Sequence, residues 1–210
     1  MEVKKEYYKM LGKRFKKALE KNGFCVKVAS SPEEALETAI QMIPQDVSVG
    51  IGGSVTVRQI GLVDELKKRG NPLYAHWEAE PEQRSQIRKK ELTSDIFITG
   101  TNAITLDGKL VNIDGVGNRV AAMMYGPKKV IVIAGVNKGV ESVEDAIKRI
   151  KNIASPQNAL RLGRLLPCAK TGKCHDCDSP ERMCSITTII EKKPPETDIT
   201  IILVEDELGY

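Results

Sequence analysis

The sequence predicts an α/β fold of three layers built on an open, mostly parallel sheet, with one local antiparallel hairpin. Three observations lead there. Short strand-forming runs alternate with amphipathic stretches from Phe24 to Ala134, the β-α-β-α rhythm of a parallel sheet flanked by helices. The run Asp95-Ile96-Phe97-Ile98-Thr99 is apolar at consecutive positions, as a strand covered on both faces must be. Asp107-Gly108 then separates two apolar runs, a strong hairpin signal in which both turn positions favour positive φ.

Each element has its own signal. Val3 to Asn22 carries Tyr7, Leu11, Phe15, Ala18 and Leu19 between lysines, the spacing of an amphipathic helix, and Asn22-Gly23 stops it. Phe24 to Val28 reads as a strand, in which Cys25 is expected to be a small core residue. Ser31 is placed to cap a helix running to about Ile43, with Pro32 at its first position and Glu34 three residues after the cap. Asp46 to Ile51 is a strand, followed by a glycine pair and a helix through Leu66. Pro72 to Tyr74, a helix over Glu80 to Leu92 and the strand Asp95 to Thr99 continue the rhythm. The hairpin pairs Ala103–Leu106 with Lys109–Ile113. A short helix from Asn118 to Tyr125, the strand Val130 to Ala134 and a helix from Ser142 to Ala154 follow, with another helix after Ser155-Pro156. Thr187 to Ile190 and Ile199 to Val204 close the pattern as strands.

At 210 residues the chain is long enough for one domain with a sizeable core, and no repeat, low-complexity tract or linker divides it. A single domain over residues 1–210 is therefore expected. The net charge of +4 is mild, and the Lys-Lys and Lys-Arg pairs fall on polar helix faces, where solvation accounts for them. Three Phe and one Trp leave little material for base-stacking platforms, which argues against nucleic acid as a partner. No apolar run is long enough to span a bilayer, and the N-terminal stretch is charged and amphipathic rather than a signal peptide. The expected compartment is the cytoplasm, where thiols stay reduced.

Four of the five cysteines lie between residues 167 and 185, as Cys168, Cys174, Cys177 and Cys184 in the spacing C-x5-C-x2-C-x6-C, with His175 inside the run. A tetrathiolate zinc site, an iron–sulfur cluster, one or two disulfides, or reduced uncoordinated thiols fit this pattern. A reducing compartment weighs against disulfides. Gly172, Asp178, Ser179 and Pro180 surround the thiols, as expected where ligands rather than a hydrogen-bonded ladder organise the backbone.

Three further constellations could carry chemistry. Gly52, Gly53, Ser54 and Thr56 follow a strand and open a helix, an arrangement that suits an anion but equally a tight turn with Ser54 as cap. It matches neither the dinucleotide fingerprint nor the Walker lysine motif. Asp114, Gly117, Asn118 and Arg119 stand at another strand end, where ligands of open α/β sheets bind. There Asp114 is a candidate base and Arg119 a candidate clamp for a carboxylate or phosphate, although the same groups could simply satisfy the loop. Asn102 is expected nearby. Lys138, beyond a third strand end, is a candidate for the same crevice, though a loop lysine is more often a solvated charge. His76, beside Trp77, belongs to no evident triad and reads as a partly buried residue with an aromatic neighbour.

The segments Gly50–Leu62 (GIGGSVTVRQIGL) and Thr101–Asn137 (TNAITLDGKLVNIDGVGNRVAAMMYGPKKVIVIAGVN) resemble the lactate-utilisation (LUD) domain family. The cysteine tail from Pro167 and the ending Ile199–Gly209 are similar to one branch of it. The resemblance implies a place in the superfamily of ribose-5-phosphate isomerases, glucosamine-6-phosphate deaminases and CoA transferases, whose three-layer fold agrees with the pattern above. In those enzymes a loop like Gly50–Thr56 holds a phosphate or CoA, and a carboxylate follows the strand that corresponds to Asp95–Thr99. Here that place reads Thr99-Gly100-Thr101-Asn102 and offers no acid, which weakens a thioester or sugar-isomerase mechanism; Asp114 as a stand-in base is a conjecture. Some relatives work beside iron–sulfur proteins in converting L-lactate to pyruvate. The leading expectation is a protein that binds a small anionic metabolite at the Gly52/Asn118 crevice and is linked to lactate or redox metabolism through an iron–sulfur cluster or zinc. An iron–sulfur protein is the implied partner. The alternatives are a sugar-phosphate isomerase or CoA-ester enzyme, and a non-catalytic accessory subunit with a structural metal.

Overall fold

The computed structural model describes residues 2–210. Its centre is a six-stranded, wholly parallel sheet made of β1 (Cys25–Ala29), β2 (Val49–Ile51), β3 (Leu73–Tyr74), β4 (Ile96–Thr99), β7 (Lys129–Gly135) and β10 (Asp198–Val204), in the order β1-β10-β7-β4-β2-β3. The register sets Ile98 opposite Ile131 and Ile201 opposite Val132, so the strands end at nearly one level. Because all six strands run the same way, the loops after β2, β4, β7 and β10 emerge along one edge.

Alternation along each strand feeds two cores. Val130, Val132 and Ala134 pack with Phe15 and Leu19 of α1 (Glu2–Lys21) and with Ala122 and Met123 of α6 (Asn118–Met124). Ile131 and Ile133 point the other way, against α2 (Pro32–Gln41), α3 (Val55–Gln59) and α4 (Leu62–Arg69). The buried stripe of α1 is Tyr8, Gly12, Phe15 and Leu19, one residue round the helix from the Tyr7–Leu11 stripe the spacing predicts, and Tyr7 is exposed. Gly12 lies within that stripe, where a Cβ would stand 2.9 Å from a carboxylate oxygen of Glu205. Cys25 is exposed rather than in the core, since β1 is an edge strand whose buried positions are Val26 and Ala29. Among the described residues, no helix is long and apolar enough to cross a membrane.

The predicted hairpin forms, with β5 (Ala103–Thr105) antiparallel to β6 (Leu110–Asp114), but it is the middle of a second, mixed sheet that β8 (Gly139–Val140) and β9 (Ile186–Ile190) complete, in the order β8-β5-β6-β9. There β8 runs parallel to β5. The closing strand read from sequence at Thr187–Ile190 is β9 of this smaller sheet, antiparallel to β6. The turn also differs from expectation. Only Gly108 has positive φ (83°), and its N–H bonds Thr105 O at 2.9 Å, a type I turn followed by a left-handed glycine. A Cβ on Gly108 would lie 2.5 Å from the backbone of Ala18, because α1 runs directly across the turn.

Three helices depart from their predicted bounds. The stretch after β2 breaks at Gly61 (φ 75°) into α3 and α4. α5 (Arg84–Leu92) starts later than Glu80, after a 3-10 turn over His76–Glu78 and a second turn closed by Gln83 N–H on Glu80 O. α7 (Val143–Arg149) does not stop before Ser155-Pro156; it passes through a π turn over Ile150–Ala154 into α8 (Ser155–Arg161). The wider turn accommodates Pro156, which has no N–H to give to the turn before it.

Candidate functional site

A cavity of about 500 Å³ opens at the edge where the parallel strands end. Its walls come from the loops after β2, β4, β6 and β7, from α8 and from the segment that includes Gly209 and Tyr210. Of the residues singled out from sequence, Gly53, Ser54, Thr56, Asn102, Asp114, Asn118, Arg119 and Lys138 all line it. Gly52 and Gly117 do not. A Cβ on Gly52 would lie 2.9 Å from Thr99 Oγ1 and 3.2 Å from Phe97, so that glycine serves the packing between β2 and β4. Gly117 has φ 91° and abuts Ile186, and it serves the turn into α6. Ser54 caps α3 by accepting the N–H of Val57 at 3.3 Å.

The end of β6, the loop after β4 and the start of α6 share a closed hydrogen-bond network. Arg119 Nε donates to Asp114 Oδ1 at 2.8 Å, and the terminal nitrogens reach Asn112 Oδ1 (2.8 Å), Asn102 Oδ1 (2.9 Å), Ile113 O (3.1 Å) and Gly100 O (3.3 Å). All five donors of the guanidinium therefore find partners inside the protein. Asp114 is equally committed, because its second oxygen accepts Val120 N–H at 3.1 Å and holds the start of α6. Arg119 thus stitches the loop after β4 to the end of β6 instead of standing free as a clamp, and three hydrogen bonds hold the Asp114 carboxylate in place.

The free positive charge lies elsewhere. Seven cationic side chains line the cavity, and Arg119, Arg164 and Arg182 are paired with Asp114, Glu181 and Asp176. The other four, Arg58, Arg88, Arg161 and Lys138, have no carboxylate partner among the described residues. Arg58 lies over the ring of Trp77, 5.6 Å from its centroid. Burial pushes its pKa down, and the charge of nearby Arg161 pushes it further. Arg88 keeps a buried Nε–H without any acceptor. Lys138, read from sequence as more often a solvated charge, is instead buried, with Nζ donating to Thr56 Oγ1 at 2.9 Å. Burial, with help from Arg149 and Arg119, lowers its pKa to about 7.

Glu91 is fully buried beneath the cavity. One oxygen lies 2.7 Å from His76 Nδ1 and also accepts the His76 main-chain N–H at 2.9 Å, while the other accepts Asn118 Nδ2 at 3.0 Å. His76 and Asn118 both line the cavity, so the carboxylate fixes one imidazole nitrogen and the orientation of the ring. Sequence reasoning missed Glu91, Arg88 and Arg161, since each is a charged residue on a helix, where a solvated face is the natural reading. Arg58 carried a usable signal, standing two residues past Thr56 in the segment that carries the family resemblance.

The four clustered cysteines line a second, small cavity of about 20 Å³ together with His175. Burial raises the pKa of Cys168 and of Cys184, and in each case neighbouring cysteines of the cluster add to the rise. Thiol sulfurs are a soft donor set that suits iron–sulfur or zinc. Even so, no group of three or more His, Cys, Asp or Glu among the described residues is drawn tightly enough to hold a single metal ion. Ser155, Arg182 and Met183 line both cavities, so the thiols stand behind one wall of the larger one.

Fold and site together define an α/β domain with a cation-lined crevice at the carboxyl ends of a parallel sheet. The chain belongs to the LUD domain family, whose profile matches residues 12–204. A solved structure with the same fold is a DUF162 family protein from Deinococcus radiodurans, 13% identical, with a TM-score of 0.55 over 94% of this chain and 98% of that one. No curated protein matches the sequence.

Proposed function

We propose that this LUD-family protein binds a small anionic metabolite, bearing a phosphate or carboxylate, in the crevice at the strand ends. One observation carries the reading: Arg58, Arg88 and Arg161 line one cavity without carboxylate partners, and Arg58 and Arg161 repel each other. Like charges gathered behind low-dielectric walls raise the local concentration of anions, and an anion between them relieves the repulsion. The test is thermal stabilisation by inorganic phosphate and by small carboxylates. Saturable stabilisation is expected, reaching about 2.7 kcal/mol when the anion is at a hundred times its Kd. It should be lost in the Arg58→Met/Arg161→Met variant. Equal shifts in both proteins would overturn the reading.

The thiols of Cys168, Cys174, Cys177 and Cys184 are the residues that would hold an iron–sulfur cluster, with zinc the second choice. A cluster would supply one-electron chemistry beside the bound anion and so link it to redox metabolism, with an iron–sulfur protein as partner; zinc would only order the loop. The soft donor set and the shared wall support this reading. Iron, acid-labile sulfide and zinc are to be measured on anaerobically purified protein, and finding none of the three defeats it. A sugar-phosphate or CoA-ester mechanism has less support, because no acid follows β4 and Asp114 is already engaged.

A further inference from the structure

Anion binding does not explain Lys138. Arginines carry permanent charge, and three unpaired ones already line the crevice. Lys138 Nζ sits deeper, bonded to Thr56 Oγ1 at 2.9 Å and closely overlaid by backbone. A Cβ at Gly209 would stand 3.1 Å from this nitrogen and one at Gly100 3.6 Å, so two glycines let the chain come near it without covering it with side chain. It lines the same cavity as Arg58 and Arg161, and no carboxylate holds its proton. With its pKa lowered to about 7, a large share of the amine is neutral near neutral pH and keeps its lone pair. A lysine in that state adds little charge for binding; what it adds is a nucleophile.

We propose that Lys138 forms a Schiff base with a carbonyl-bearing anion, a 2-oxo acid or an aldehyde phosphate, held by the crevice arginines. This rests on the anion-binding reading above and names the ligand class for the same site. The nitrogen lone pair forms a C–N bond to the carbonyl carbon, and the carbonyl oxygen leaves as water with the two amine protons, giving an imine. His76, oriented by the buried Glu91, lines the same cavity.

The full-length protein is incubated with glyoxylate or with glycolaldehyde phosphate and sodium cyanoborohydride, which reduces any imine to a stable amine, and labelled lysines are mapped by peptide mass spectrometry. One label per chain is expected on Lys138, formed at least about tenfold faster than on any surface lysine and slowed by inorganic phosphate. Its rate should rise through pH about 7. The groups that set this midpoint are Arg149 and Arg119, with the Thr56 hydroxyl at the nitrogen. The two probes separate carboxylate from phosphate as the anchoring group. Label spread evenly over surface lysines, with Lys138 unmodified while phosphate still stabilises the fold, overturns the Schiff base and leaves anion binding standing. Absence of both phosphate stabilisation and Lys138 labelling removes both readings. Mapping on the wild-type chain keeps the test independent of whether Lys138→Met folds.

Discussion

The crevice and the cysteine loop share a wall at Ser155, Arg182 and Met183, yet they are organised in opposite ways. Parallel strand ends deliver the crevice, and Arg119 locks the loop after β4 to the end of β6 with every donor it has. The stretch from Pro167 to Ser185 has one short helix, α9 (Pro167–Thr171), and then no regular element. Side chains hold it. Arg182 reaches Asp176 and Cys177 O, each at 2.7 Å, Glu181 accepts the N–H of Leu165, and His175 meets Thr171. Asp176 adopts φ 47°, the only positive value for a non-glycine residue among those described. A ladder fixes its polar groups before any ligand arrives, whereas a loop held by a few side-chain bonds leaves its thiols to be gathered by whatever they bind.

The largest expected effect is at Arg119. Arg119→Met strands the buried carboxylate of Asp114 and frees the carbonyl of Ile113, and should destabilise the fold by about 3–5 kcal/mol in chemical denaturation. The matching change in the loop, Arg182→Met, should leave the global transition within about 1 kcal/mol while speeding proteolysis between residues 167 and 185. Comparable global losses in the two variants would erase the contrast between the regions.

Lys138→Met comes next and has the opposite sign. Between pH about 7 and its ordinary value of 10.5, the unfolded chain binds a proton that the folded chain does not. Wild-type stability therefore rises with pH across that window, and at neutral pH removal of the amine should stabilise by on the order of 1–3 kcal/mol. Melting curves of both proteins from pH 6 to 10 measure it; a slope in the variant as steep as in the wild type would show that Lys138 is not its source.

Arg58→Met/Arg161→Met should leave the unliganded melting temperature unchanged or slightly higher, since it relieves repulsion, while weakening phosphate binding by about tenfold or more. The smallest global effect is expected from metal removal. Chelation of metal-loaded protein should expose the cysteine loop to protease but leave phosphate stabilisation intact, and a chelator that abolishes phosphate binding would show that the two regions act as one.

Much of this architecture was legible in the linear pattern. Consecutive apolar runs such as Ile96-Phe97-Ile98 specify strands buried on both faces, Ser31-Pro32 marks a helix start, and glycine-rich strand ends mark one edge of the sheet, because these signals act within a few residues. For the same reason Gly53, Ser54, Asn102, Asn118 and Lys138 could be assigned to one crevice before their distances were known. Tertiary structure alone decided what each group does there. Whether Arg119 is a clamp or a stitch depends on Asn102, Asn112 and Asp114 arriving around it from the loop after β4 and from β6. That Ile186–Ile190 joins a second sheet, that Glu91 lies buried under His76, and that Lys138 loses much of its affinity for a proton are likewise effects of long-range packing. Desolvation and charge coupling depend on which atoms surround a group in space, and neighbours along the chain do not fix them.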